Sequence, residues 1–183
     1  MRQIYNVLDI PYLGHLQSLV LNNIPWYCLN NSANSSLVDQ QQNFSFEHLL
    51  YSNTKELKSD FFSIFYPAIL TILHKLDISS YQLLRARLGL TTKDKTKREH
   101  TPHIDLEIPH GTVVFYINSS DGPTTLYKEK YNGITPVSLF NISEQIEPTA
   151  NSALLFDGLQ YHSSTKPFNS SFRFILNINF ILI

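Results

Sequence analysis

The spacing of apolar residues changes along the chain. In SNTKELKSDFFSIFYPAILTILHKL, Leu57, Phe61, Phe62, Ile64 and Phe65 recur at roughly helical intervals, and Ile69, Leu70, Leu73 and Leu76 continue the series after Pro67. This spacing predicts an amphipathic helix, kinked or restarted at Pro67 and laid against the outside of a sheet. A shorter helix is expected in LGHLQSLVLNNIPWYCL, stopping near Pro25. The polar stretch NNSANSSLVDQQQN reads as a surface loop. YQLLRARLGL fits a strand or a helix, and we favour a strand that begins the sheet. The charged run TTKDKTKREH reads as a loop.

From residue 100 the pattern becomes short strands broken by turns. GTVVFYIN ends in the turn NSSDGP, and TTLYKEKY is the next strand. NGITPVSLFN follows with an Asn-Gly turn signal, and NSALLFDG ends at Asp-Gly. SFRFILNINFI is long enough to sit centrally in a sheet. Short strands at this spacing predict a sandwich or barrel, for which a jelly roll is a standard solution. The fold expected is therefore mainly β, as a single domain over residues 1–183. Residues 1–90 form a supporting region with helices, and residues 91–183 form the core.

Composition narrows the function. The 183 residues are 43% hydrophobic, enough to bury a core without staples. A net charge of -1 gives no strong nucleic-acid signal. The single cysteine, Cys28, excludes an internal disulfide and a multi-thiolate zinc site, and a reducing compartment is the simpler setting. We read no signal peptide and no membrane-spanning run, so a cytoplasmic location is expected. The 12 Phe and 10 Tyr suit strands.

Seven histidines together with carboxylates leave a harder metal site open. In a strand, residues two apart share a side, so His103 and Asp105 in PHID can reach one ion together. His162, beyond the strand NSALLFDG, is the best distant third ligand. Two imidazoles and one carboxylate make a facial triad with open positions, as non-haem Fe(II) oxygenases require. Spacing alone does not separate this reading from two polar histidines near loops. Arg173 adds to it, because an unpaired guanidinium is costly on so apolar a strand and suits a carboxylate ligand. The alternative is an internal salt bridge or an outward edge position. Asn177, four residues on, faces the same side. Tyr116 and Tyr127 could each hydrogen-bond a dicarboxylate or simply fill the core. His100 and His110 flank the motif without a spacing that demands ligation.

The stretches TPHIDLEIPHGTVVFYINSSDGPTTLY, ANSALLFDGLQYHSS and SFRFILNINF resemble the 2-oxoglutarate and Fe(II)-dependent oxygenases. The likeness is closest to the prolyl 4-hydroxylase-like branch with its small viral and bacterial members. It spans residues 98–180 and extends loosely over IPWYCL and LLRARLGLTTKD. The resemblance places iron on His103, Asp105 and His162, and the far carboxylate of 2-oxoglutarate on Arg173. It puts Asn177 and Tyr116 in the co-substrate pocket. The Gly-Gly pair that many members carry is replaced here by Asp121-Gly122-Pro123-Thr124-Thr125. The implied fold is a double-stranded β-helix. The implied activity is hydroxylation of a C–H bond of a prolyl peptide or small molecule, with O2 consumed and succinate and CO2 released. Ascorbate is a candidate reductant. A cupin-like metalloenzyme without 2-oxoglutarate and a non-catalytic β-sandwich are the competing readings. Substrate and oligomeric state are not legible.

Overall fold

The computed structural model describes residues 1–29, 44–55, 57–96, 99–133 and 139–183. The polar stretch over residues 31–43 lies outside these. Thirteen elements follow in order: β1 (Arg2–Tyr5), α1 (Ile10–Asn22), β2 (Tyr27–Leu29), β3 (Ser45–Ser52), β4 (Leu57–Lys58), α2 (Phe62–Lys75), β5 (Tyr81–Thr92), β6 (Gly111–Tyr116), β7 (Thr124–Lys130), β8 (Ile142–Ile146), β9 (Ser152–Asp157), β10 (Gln160–Ser164) and β11 (Phe172–Leu182).

Both helices follow their apolar stripes. In α1, Leu13, Leu16 and Val20 are buried, and Pro11 sits in the first turn, where no intrahelical N–H is needed. Near its end, Trp26 Nε1 donates to the Val20 carbonyl at 3.1 Å. In α2, Phe62, Phe65, Ala68, Ile69, Ile72 and Leu73 are buried. The helix runs through Pro67 without a restart, because Pro67 is on the exposed face, where the carbonyl it leaves unbonded meets water. It begins later than its periodicity suggested. Lys58 pairs with Tyr51 of β3, so the chain around Leu57 is strand rather than helix. At the far end Asp77 takes a left-handed conformation, φ 63°, and Arg2 donates to the Leu76 carbonyl at 3.0 Å.

The strands form two antiparallel sheets. The larger has the order β1-β9-β6-β11-β5-β3-β2 with β4 beside β3, and the smaller has the order β10-β7-β8. The 99–103 segment adds to the free edge of β10 through bridges Glu99–Thr165 and His103–His162. Strand β11 sits centrally, as expected. Strand β5 does not begin the sheet, since β1, β2 and β3 precede it and β3 pairs along its flank. Strands β3 and β10 carry short or mixed apolar patterns that gave no clear periodic signal. The mainly β, jelly-roll architecture holds.

Alternation on the large sheet separates core from site. On one face Ala86, Leu88 and Leu90 of β5, Leu176 and Ile178 of β11, and Val113 and Phe115 of β6 meet both helices in the main core. On the other face a smaller cluster of Val114, Tyr116, Leu126, Ile146, Leu154 and Phe156 fills one end of the space between the sheets. Beside it the same face carries Arg85, Arg87 and Thr91 from β5 and Arg173, Asn177 and Asn179 from β11, with Ile175 packed against the small cluster. Phe65 is fully buried between helix and sheet, whereas Leu70 on the same helix is 43% exposed. Phe65→Ala is expected to cost about 3–5 kcal/mol in denaturant titration, and Leu70→Ala to stay within about 0.5 kcal/mol.

Candidate metal centre

The segment before β6 and the strand β10 bring the sequence-predicted ligands together. His103 and His162 face each other as a bridge pair, exchanging backbone N–H···O bonds of 2.9 Å in both directions. Their rings lie 4.6 Å apart between centroids. Asp105 enters from two residues beyond His103, with its Oδ2 3.9 Å from His162 Nε2. One ligand atom from each of His103, Asp105 and His162 lies within 4.8 Å of the others. Each imidazole is tied back through Nδ1 to a carbonyl two residues earlier, Thr101 at 3.0 Å and Gln160 at 3.2 Å. That fixes Nδ1–H and leaves Nε2 as the free lone pair, the tautomer a metal needs. Burial, then the neighbouring His162, pushes the His103 imidazole down to about 3. Burial likewise lowers His162. Both rings are neutral and ready to ligate near neutral pH.

Asp105 is the most heavily engaged side chain in the site, with 1% of it exposed. Burial alone would raise its carboxyl, but Arg85 and Arg87 outweigh that and hold it well below the usual carboxylate range. Arg85 Nη2 donates to Oδ1 at 2.6 Å and Arg87 Nη2 at 3.2 Å. Asn177 and Asn179 each donate Nδ2 to Oδ2 at 3.0 Å. Glu47 balances Arg87 at 3.3 Å. The arginines and Asn179 were not singled out in the sequence. A signal was present: Arg85 and Arg87 alternate with apolar residues in LLRARLGL, the same pattern that marked Arg173 and Asn177.

A cavity opens from the triad toward Arg173. Its lining includes Thr91, His100, His103, Thr124, His162, Arg173 and Asn177. Arg173 is 3% exposed and donates Nη2 to Thr124 Oγ1 at 2.7 Å. Tyr116 also donates to Thr124 Oγ1, at 2.8 Å, and its ring lies 5.7 Å from the Arg173 guanidinium carbon. Tyr116 thus sits fully buried behind Thr124 and Arg173, and reaches the cavity through them. Among the described residues no carboxylate pairs with Arg173. Of the described residues' buried side-chain atoms five lack a partner, and four of them, Thr91 Oγ1, His100 Nε2, Arg173 Nε and Asn177 Oδ1, belong to residues lining this cavity. Such orphans are costly unless a ligand satisfies them. The residues therefore fit both a divalent metal ion and an anion reaching from it toward Arg173.

Two further networks brace the site. Glu99 accepts from Tyr127 at 2.7 Å and Ser163 at 2.6 Å, pinning the segment that carries His103 onto β10 and β7. Tyr127 thereby acts on the frame of the site. Asp121 takes the backbone N–H groups of Asn169 at 2.7 Å and Ser170 at 3.0 Å. Next to it, a Cβ on Gly122 would come 2.4 Å from the Thr165 carbonyl, so the altered turn keeps a glycine where the backbones touch.

No protein-family model matches the chain, and no curated protein matches it. Solved structures do. The non-haem α-ketoglutarate-dependent epimerase SnoN of nogalamycin biosynthesis superposes with a TM-score of 0.68 at 12% identity, covering 98% of this chain and 76% of that one. A 2OG-Fe(II) oxygenase family protein from Burkholderia pseudomallei gives 0.66 at 11% identity, covering 97% and 83%. The viral collagen prolyl hydroxylase of Paramecium Bursaria Chlorella virus-1 gives 0.56 at 11%, covering 100% and 96%. The fold is that of the 2-oxoglutarate and Fe(II)-dependent oxygenases. SnoN has been solved with Fe3+ and α-ketoglutarate bound. Within this oxygenase fold, the His-Asp-His cluster of the present chain offers a donor set suited to such a metal.

Two outcomes are expected. Asp105→Ala strands two guanidinium and two amide donors, so it should destabilise the metal-free protein by about 3–5 kcal/mol and abolish Co(II) binding in calorimetry. The second concerns pH. Burial first, then Lys166 and Arg173, hold His100 at about 4, and His103 lies at about 3, against about 6.5 when unfolded. The folded state then binds fewer protons than the unfolded chain between these values, so stability is full above the unfolded pKa. The denaturation midpoint of metal-free protein should fall as pH drops from about 6.5 toward 4. A flat profile across that window would contradict neutral buried imidazoles.

Proposed function

We propose that this protein is a 2-oxoglutarate and Fe(II)-dependent dioxygenase that hydroxylates a C–H bond of a prolyl peptide or a small molecule. The observation that carries the reading is one cavity with the two neutral imidazoles of the His-Asp-His cluster at one end and, at the other, a buried arginine with no acidic partner among the described residues. A cupin-like metal site has no need of that arginine, and a binding-only sandwich has no need of the cluster.

The roles follow from the contacts. His103 and His162 would offer Nε2, and Asp105 a carboxylate oxygen, to the ion. Arg173 offers Nε to the far carboxylate of the co-substrate. Thr124 Oγ1 already accepts from Arg173 and Tyr116, so its own O–H is left to donate into the cavity. His100 and Thr91 add polar atoms at the same end. Tyr116 is assigned to hold Thr124 and Arg173 in register. Bound Fe(II) and 2-oxoglutarate would supply the oxidising chemistry, coupling O2 reduction to decarboxylation and substrate hydroxylation, with ascorbate as a candidate reductant. The neighbours leave the substrate class open. SnoN has been solved with the small molecule nogalamycin RO, whereas the viral relative in fold is a collagen prolyl hydroxylase.

The test is succinate formation from 2-oxoglutarate by anaerobically Fe(II)-loaded protein, screened against prolyl peptides and metabolite pools. Arg173→Leu is expected to fold, because it removes a buried unpaired charge. It should retain the metal and weaken 2-oxoglutarate binding by about a hundredfold. Wild-type protein that binds neither Fe(II) nor 2-oxoglutarate would sink the proposal.

A further inference from the structure

We infer that Asn177 links metal loading to co-substrate binding, an inference that rests on the function proposed above. The starting point is arithmetic of lone pairs. A carboxylate has about four acceptor sites, and Asp105 has four donors on it: Arg85 and Arg87 on Oδ1, Asn177 and Asn179 on Oδ2. To give Oδ2, the oxygen on the His162 side, to a metal ion, Asp105 must release one of its two amides.

The two amides are not equivalent. Asn179 is fully buried and locked on both sides, with Oδ1 accepting from Arg85 Nε at 3.0 Å and Nδ2 also donating to Thr112 Oγ1 at 3.0 Å. Asn177 is held by the Asp105 bond, and its Oδ1 has no partner. The orientation is fixed by chemistry, since only the N–H side of the amide can face a carboxylate. Asn177 is therefore the donor that yields. It also lines the cavity with Thr91, His100 and Arg173. Rotation about its own side-chain torsions carries the freed Nδ2 toward the cavity, where co-substrate carboxylate oxygens accept it. In the metal-free protein this donor is occupied on Asp105, and loading the site releases it. By linkage, what each binding event does to the other is equal in size.

The signature is a pair of opposite effects from one residue. In anaerobic calorimetry, Co(II) should bind Asn177→Leu about tenfold more tightly than wild type, because a competing charge-assisted hydrogen bond is gone. On the Co(II)-loaded protein, 2-oxoglutarate should bind the same variant about tenfold more weakly. Asn177→Ser, too short to reach Asp105 but still a donor, should share the tighter Co(II) binding and recover part of the 2-oxoglutarate affinity. It also guards against a folding defect in the leucine variant, and thermal melts check both. Co(II) affinity that is unchanged or weaker in both Asn177 variants overturns the inference while leaving the enzyme reading intact. Tighter Co(II) binding with 2-oxoglutarate affinity unchanged in Asn177→Leu overturns it as well, since the freed amide would then play no part in co-substrate binding. Wild type that takes no divalent ion overturns both.

Discussion

A carboxylate with almost none of its surface in water must be met by donors from every side, and the interior of this protein is organised around that requirement. Asp105 comes from an irregular segment, yet its four donors come from the two longest strands, β5 and β11. The pair Arg85 and Arg87 and the pair Asn177 and Asn179 are each two residues apart, so the strand pleat alone aims each pair at one oxygen. Register then brings the pairs together, with Asn177 opposite Arg87 and Asn179 opposite Arg85. The same pleat sends Ala86, Leu88, Leu176 and Ile178 to the helices. One periodicity thus serves the hydrophobic core and the charged site at once, and a one-residue slip would exchange them.

This arrangement accounts for the position of each helix. Helices on the outer face seal the large sheet from behind, so its inner face can carry arginines without exposing the core. The small sheet closes the other side, bringing His162 on β10 and, through the bridge to it, His103. The His-Asp-His cluster lies between the sheets, where neither could build it alone.

Much of this was legible in the sequence. His103 and Asp105 stood out by their spacing, His162 by its place beyond an apolar strand and Arg173 by interrupting one; the structure sets His103, His162 and Arg173 on one cavity, with Asp105 beside the two imidazoles. The β-rich second half was readable from its alternation and turns. The first half was harder. β1, β2 and β4 are two to four residues long, below the length at which a period can be detected. Leu57 matched the helical series by coincidence of spacing, while its pairing with Ser52 across a short hairpin decided its conformation. The carboxylate's donors were missed for a different reason. Arg85 and Arg87 precede the motif by about twenty positions, and only long-range pairing shows that they point at it. Asn177 was expected on the side of Arg173 and lines the same cavity, but its contact with Asp105 depends on a register that no single strand reveals.

The turn that departs from the resembled family has one more consequence. Asp121 grips the chain at Asn169 and Ser170, while Gly122 lies flat on the backbone at Thr165. Thr124 follows directly on one side of this contact, and Arg173 follows shortly on the other. The loops before β7 and β11 are therefore welded into a single piece that sets how far Thr124 stands from Arg173. Neither loop is free to lengthen or shorten by itself, and diversification of this protein would have to proceed through its other loops.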